Sequence, residues 1–231
     1  MHRKWGKTSN VDQPKHAFER QGYLVRTPEM PWSGRRFYDA PYPEALRQIG
    51  EAMQQLRDQS AKRVVVGGHS FGANAALAFA AEHPDIDGIL MLAPGHTPES
   101  RGMQENGVAA SLQKAKDLVA AGQAEDEAYF TDVNQGKRQT IRTTASIYLG
   151  YFDPAGRGPM PVSASALRRP IPLRLIGTED RLFHLLADEK YVFKRVPDHP
   201  LSQYVVVHAD HMTTPTAGTS EILAWLKTLE E

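Results

Sequence analysis

Arg63-Val-Val-Val-Gly-Gly-His-Ser-Phe-Gly72, running on into Ala73-Asn-Ala-Ala-Leu-Ala-Phe79, is the stretch that decides the fold of this chain. A short β-branched run stops at Gly68-His-Ser-Phe-Gly72, and an alanine-rich helical segment starts directly after it. Strand, tight turn and helix in that order lift the central serine, Ser70, clear of a sheet as a nucleophile. Gly68 and Gly72 carry no Cβ where the turn folds strand and helix together, and Ala73, Ala75 and Ala76 let the helix lie close on the sheet.

Gly-x-Ser-x-Gly alone is a weak signal, because small residues gather in many turns. Two glycine-rich rivals fit worse. Gly67 and Gly72 have the spacing of a phosphate-binding loop, but Ala73-Asn74 stands where Lys-Ser/Thr is required. A dinucleotide fingerprint needs Gly-x-Gly-x-x-Gly, which does not occur.

A serine hydroxyl needs a neighbouring imidazole to take its proton, and the imidazole needs a carboxylate to hold its tautomer. Downstream, Pro170-Ile-Pro-Leu-Arg-Leu-Ile-Gly-Thr-Glu-Asp180 predicts a buried strand ending in Gly177-x-x-Asp180. Gln203-Tyr-Val-Val-Val-His-Ala-Asp-His211 predicts another, followed by Thr213-Thr214-Pro215 as a helix cap and first turn. Asp180 and His211 thus both fall just past the carboxyl ends of predicted parallel strands, the edge of an open α/β sheet where sites form.

The order Ser70, Asp180, His211, each at a strand end, resembles the α/β-hydrolase family, and the resemblance extends over nearly all 231 residues. It implies a mostly parallel sheet flanked by helices with a helical lid insertion. Strands are expected near 22–28, 63–69, 88–93, 172–177 and 203–208. Helical spacing of Leu46, Ile49, Met53 and Leu56, and of Ile222, Leu226 and Leu229, predicts amphipathic helices between and after them. Each triad partner has a competitor. Glu179 replaces Asp180 if the turn is one residue tighter, though the family's Gly-x-x-Asp pattern favours Asp180. His208 competes with His211 but continues the Val205-Val-Val207 run as a strand-end residue, and Asp210-His211 looks like the family's Asp-His pair. Asp210 is then a loop residue that positions the backbone, and Asp153 in Tyr-Phe-Asp-Pro is structural.

The resemblance also implies two backbone donors for the oxyanion of a tetrahedral intermediate. One is the amide of Phe71, next to the nucleophile. The other comes from a His-Gly-x segment, which Met1-His-Arg-Lys-Trp-Gly-Lys7 resembles with Arg3 in the glycine position, making Lys4 the second donor. The family has an apolar strand directly before that segment and usually two more ahead of it; here only Met1 precedes it. That strand normally lies between those at 22–28 and 63–69, and a gap there leaves edges unpaired. A longer native chain, closing-up of the neighbouring strands, and pairing by a second subunit are the three expectations, the first foremost.

Composition agrees with one domain, residues 1–231, long enough to bury roughly 70% of its unfolded surface. Lysine plus arginine equals aspartate plus glutamate at 27 each, so no net field draws the chain to nucleic acid or anionic lipid. No stretch approaches the ~18 unbroken apolar residues of a membrane span. The absence of cysteine excludes a disulfide framework and the family's cysteine-nucleophile branch, the dienelactone hydrolases. The nine histidines form no tight ligand spacing, so no metal and no cofactor is expected. The compartment is left open, with the cytoplasm as default and a lost N-terminal signal allowed for, and so is the oligomeric state.

Residues 96–169 are the expected lid, with a helix in 102–123 marked by Val108, Leu112, Ala115 and Val119, and a second apolar stretch over 141–152. As a helical pair these would cover the nucleophile and line an acyl or alcohol pocket, Tyr148 among them, or simply pack the lid onto the main domain. Trp32, in a loop after a strand's carboxyl end, is expected to border the site mouth. The expected function is a serine hydrolase acting on a small-molecule carboxylic ester or related acyl bond, with thioester, amide and carbon–carbon bonds open. The other reading is a non-catalytic binding protein of the same fold, or an inactive form truncated at its N-terminus.

Overall fold

The computed structural model describes residues 1–168, 171–177 and 191–230. In chain order the helices are α1 (Asp12–Arg20), α2 (Tyr42–Asp58), α3 (Phe71–Glu82), α4 (Arg101–Met103), α5 (Ala109–Ala120), α6 (Ala145–Phe152), α7 (Met160–Ala166), α8 (Thr214–Ala217) and α9 (Thr219–Thr228). The strands are β1 (Val65–His69), β2 (Gly88–Leu92), β3 (Glu127–Asn134), β4 (Lys137–Thr144), β5 (Leu173–Gly177) and β6 (Gln203–Val206). Four of them form one parallel sheet in the order β1-β2-β5-β6. Burial on both faces follows from parallel crossovers. Ile89 and Met91 face the core shared with α2, α3 and the lid, whereas Leu90 and Leu92 face Ile222, Trp225 and Leu226 of α9. The period of two along β2 therefore sorts its side chains between two helical layers.

The two expected amphipathic helices form where the spacing put them. α2 buries Leu46, Ile49 and Met53, and α9 buries Ile222 and Leu226, with Leu229 just beyond it. α3 differs in being buried on every side from Phe71 to Ala80, which is why it is rich in alanine rather than amphipathic.

At the amino end no strand forms near 22–28. Residues 24–27 have no regular secondary structure and no ladder partner among the described residues, because no strand lies between them and β1. Instead an apolar groove of about 440 Å³, lined by Phe18, Leu24, Val65, Leu92 and Leu226 among others, separates them. The neighbouring segments therefore do not close up. On the side of β1 away from β2, Met1 pairs with it: its amino group donates to Gly67 O at 2.7 Å, and the His69 amide donates to Met1 O at 3.0 Å.

The lid segment holds the expected helical pair, α5 packed on α6, but an antiparallel hairpin stands between them in the chain. α5 buries Leu112 and Ala115, with Val108 just before it, but Val119 lies on the solvent side. The next element is an antiparallel hairpin, β3–β4, turned by Gln135-Gly136, both with positive φ as a two-residue turn requires. The stretch read as apolar over 141–152 divides at Thr144: residues 141–144 are the last of β4, and α6 starts at Ala145 under a Thr144 side-chain cap. The alternation that marks a strand was masked because the inward positions of β3 are Phe130 and Asp132, and a buried aspartate breaks the apolar pattern.

Candidate active site

Ser70 sits at φ 56°, ψ −120°, between the end of β1 and the start of α3. A non-glycine residue at positive φ is costly and persists only where its surroundings over-determine it. Here the surroundings do. The Ser70 amide donates to Leu92 O of β2 at 2.9 Å, and the Ser70 carbonyl accepts the Ala73 amide at 2.9 Å. A Cβ on Gly68 would lie 2.4 Å from the Gly72 carbonyl carbon, so strand and helix meet at a distance only glycine permits. Gly72 is equally confined, with Met1 O and His2 O at 2.7 and 2.8 Å from its would-be Cβ.

His211 arrives from the loop after β6. Asp210 Oδ1 accepts the Met212 amide, the Thr213 amide and the Thr213 hydroxyl at 2.7–2.8 Å, which ties that loop to the start of α8. His69, the residue before Ser70, donates from Nε2 to the His211 carbonyl at 2.6 Å. A carbonyl only accepts, so this bond fixes the His69 tautomer. Ser70 and His211 are both buried, at 2% and 4% exposure, and they converge on Gly95 in the loop after β2. A Cβ on Gly95 would lie 2.6 Å from Ser70 Oγ, 2.9 Å from His211 Cε1 and 3.4 Å from His211 Nε2. Hydroxyl and imidazole thus share one small space that a glycine leaves open.

Buried Asn74 of α3 fixes the Gly95 loop. Its Nδ2 donates to His96 O at 2.6 Å and to Gly158 O at 3.2 Å, and its Oδ1 accepts the Gly95 and His96 amides at 3.3 and 3.4 Å. Sequence reasoning missed both Gly95 and Asn74 as site residues. Gly95 lies in Ala93-Pro-Gly-His96, a glycine past the carboxyl end of a strand, which was the signal available for it. His208 stands two residues past β6 and is exposed, whereas His211 is buried. Asp180 and its competitor Glu179 lie outside the described residues; β5 ends at Gly177, whose carbonyl accepts the Val207 amide at 3.1 Å.

Phe71 is the first residue of α3, so its amide has no intrahelical acceptor. Lys4 lies in the front loop with its ammonium 6.0 Å from the Phe71 ring centroid. Trp32 does not border a mouth: it is fully buried, packs 4.8 Å from the Phe71 ring, and donates from Nε1 to His2 O at 3.0 Å. Tyr148 does not line an open pocket either. It is buried between the rings of Phe130 and Phe152, with its hydroxyl on Thr131 O at 2.7 Å.

Burial keeps three histidines around this site neutral. Loss of hydration brings His2 down to about 4 and His69 to about 3, and holds His96 well below its ordinary value. The unfolded chain protonates the same groups near pH 6.5. Their folded pKa values are lowered, so the unfolded state binds more protons below about pH 6.5, and stability falls as pH falls from there. The slope should approach about 1.4 kcal/mol per pH unit for each histidine between its two pKa values. Urea midpoints at pH 7, 6 and 5 should therefore drop steadily; a flat series would contradict neutral burial.

The family model described as "Alpha/beta hydrolase family" matches residues 5–221 of this chain. No curated protein matches it in sequence. Solved structures do resemble it. A monoacylglycerol lipase from Paleococcus ferrophilus superposes with a TM-score of 0.70 at 14% identity, covering 99% of this chain and 93% of that one. A structure from work on two metagenome-derived lipolytic enzymes, LipS and LipT, has a TM-score of 0.66 at 14% identity over 98% of this chain and 91% of its own. A thioesterase domain from the curacin biosynthetic pathway has a TM-score of 0.57 at 18% identity over 98% of this chain and 89% of its own.

Proposed function

The chain belongs to the alpha/beta hydrolase family, and on that premise we propose that it hydrolyses a carboxylic ester or related acyl bond with Ser70 as nucleophile. The observation that carries this is the meeting of Ser70 Oγ and the His211 imidazole at Gly95, at the strained turn between β1 and α3. His211 Nε2 takes the hydroxyl proton as Oγ attacks the acyl carbon. The resulting oxyanion is held by the Phe71 and Lys4 amides. Collapse expels the alcohol, which leaves with the proton from His211. A water then attacks the acyl-enzyme by the same route in reverse, releasing the acid and restoring Ser70. Asp180 is the carboxylate that orients His211.

Labelling with a fluorophosphonate probe tests this without a known substrate, since the probe reacts only with an activated serine. Labelling should occur in the wild type and vanish in Ser70→Ala and His211→Ala. A folded wild type that takes no label would overturn the catalytic reading in favour of a binding protein.

A further inference from the structure

We propose that Asp132, on the inner face of the lid hairpin, is a positioning residue that sets the Lys4 amide and through it the oxyanion; this rests on the serine-hydrolase reading above. Asp132 is fully buried, yet it gathers four donors. Lys4 Nζ donates to its Oδ1 at 2.7 Å, Trp5 Nε1 and Tyr38 OH to its Oδ2 at 2.8 and 2.7 Å, and the Val133 amide to Oδ1 at 2.7 Å. Lys4 Nζ also donates to Val133 O at 3.0 Å, and Asn134 Nδ2 donates to the Lys4 carbonyl at 3.4 Å.

Three consecutive residues of β3 therefore grip Lys4 and Trp5. From the opposite side the Trp5 amide donates to Trp32 O at 2.8 Å. The Lys4–Trp5 peptide, which follows directly on the Lys4 amide, is thus held between the lid and the main domain, and the Arg3 carbonyl of the amide's own peptide accepts the Gly6 amide at 3.1 Å. The Lys4 ammonium reaches past the rings of Phe71 and Phe152, 6.0 and 5.4 Å from their centroids, and Phe71 supplies the first donor. Burial pulls the Lys4 pKa down and the Asp132 charge pulls it back up, so the carboxylate keeps the ammonium tolerable in this interior.

A buried ion pair is a poor source of stability, because desolvating two charges offsets their attraction. Apolar packing would fasten the hairpin as firmly. What a carboxylate with four directed donors adds is one defined position for each partner, and oxyanion stabilisation depends on donor position within a fraction of an ångström. The lid hairpin is on this view a fixed part of the catalytic frame rather than a loose cover.

The test compares wild type with Asp132→Asn, Lys4→Met/Asp132→Asn and Tyr38→Phe on a p-nitrophenyl ester and on a trifluoromethyl ketone. The ketone adds to the serine and mimics the tetrahedral intermediate. The double variant keeps the Lys4 backbone amide and leaves no charge buried alone, and Tyr38→Phe removes one donor while every charge stays paired. Per folded, probe-reactive site, Asp132→Asn and the double variant should lose roughly tenfold to a hundredfold in kcat, with KM changed less than about threefold. The ketone's Ki should rise by the factor that kcat/KM falls, and Tyr38→Phe should show a smaller loss of the same kind. Loss of thermal stability alone, with kcat and Ki within about threefold of wild type, would overturn the proposal while leaving the serine reading intact. A wild type that neither labels nor hydrolyses would overturn both.

Discussion

Replacing Ser70 by alanine should lower acyl-ester hydrolysis by at least about 10³-fold, the scale on which loss of a triad nucleophile is felt. The fold should survive. The turn's strain is already borne by a residue with a Cβ, and alanine meets the same φ of 56° with one atom fewer. The hydrogen bonds that hold the turn belong to the Ser70 amide and carbonyl, which the substitution leaves in place. Circular dichroism and melting should match wild type while turnover is lost, and kcat/KM is the quantity to measure. Activity within about tenfold of wild type would remove Ser70 from the reaction.

Gly95→Ala should have the next largest effect on rate, a loss of about 10²-fold or more, because small misplacements of reacting groups cost that much. The new Cβ would stand 2.6 Å from Ser70 Oγ and 2.9 Å from His211 Cε1, in the space where hydroxyl, imidazole and acyl carbon must meet. Gly95 does not sit at positive φ, so alanine suits its backbone and the effect is steric. Overpacking of this kind also costs about 1–3 kcal/mol of stability. The measurement is kcat/KM of folded protein together with its rate of fluorophosphonate labelling; both should fall together. Activity retained to within about threefold would mean that the serine and imidazole do not meet at Gly95 during turnover.

Much of this site was legible because its parts announce themselves locally. Gly68, Ser70, Gly72 and the alanines after them form one continuous signal, since strand, turn and helix must each be satisfied by neighbours in sequence. His211 was singled out in the same way, at the end of a β-branched run with a proline two residues into the helix that follows. The lid was read less well. Helical spacing placed α5 but gave no sign of β3–β4, because Asp132 occupies an inward position that the apolar pattern should have filled. Trp32 was placed near the substrate because its loop follows a predicted strand at 22–28 that does not form, and Tyr148 because it lies in an apolar lid stretch, whereas both are buried among rings of the scaffold.

The chain's own order of residues determined the α/β class, the strained turn at Ser70 and the strand ends at which the candidate site lies. Each of these depends on propensity, period or steric allowance within about ten neighbouring residues. Tertiary structure alone decided that Gly95 is the floor shared by Ser70 and His211, that Asn74 holds its loop, and that Lys4 and Trp5 are fastened by Asp132. These partners lie from 21 to more than 120 positions apart. No local periodicity encodes such pairings; they are settled only when the sheet, its helices and the hairpin pack together and bring these buried polar groups within reach of one another.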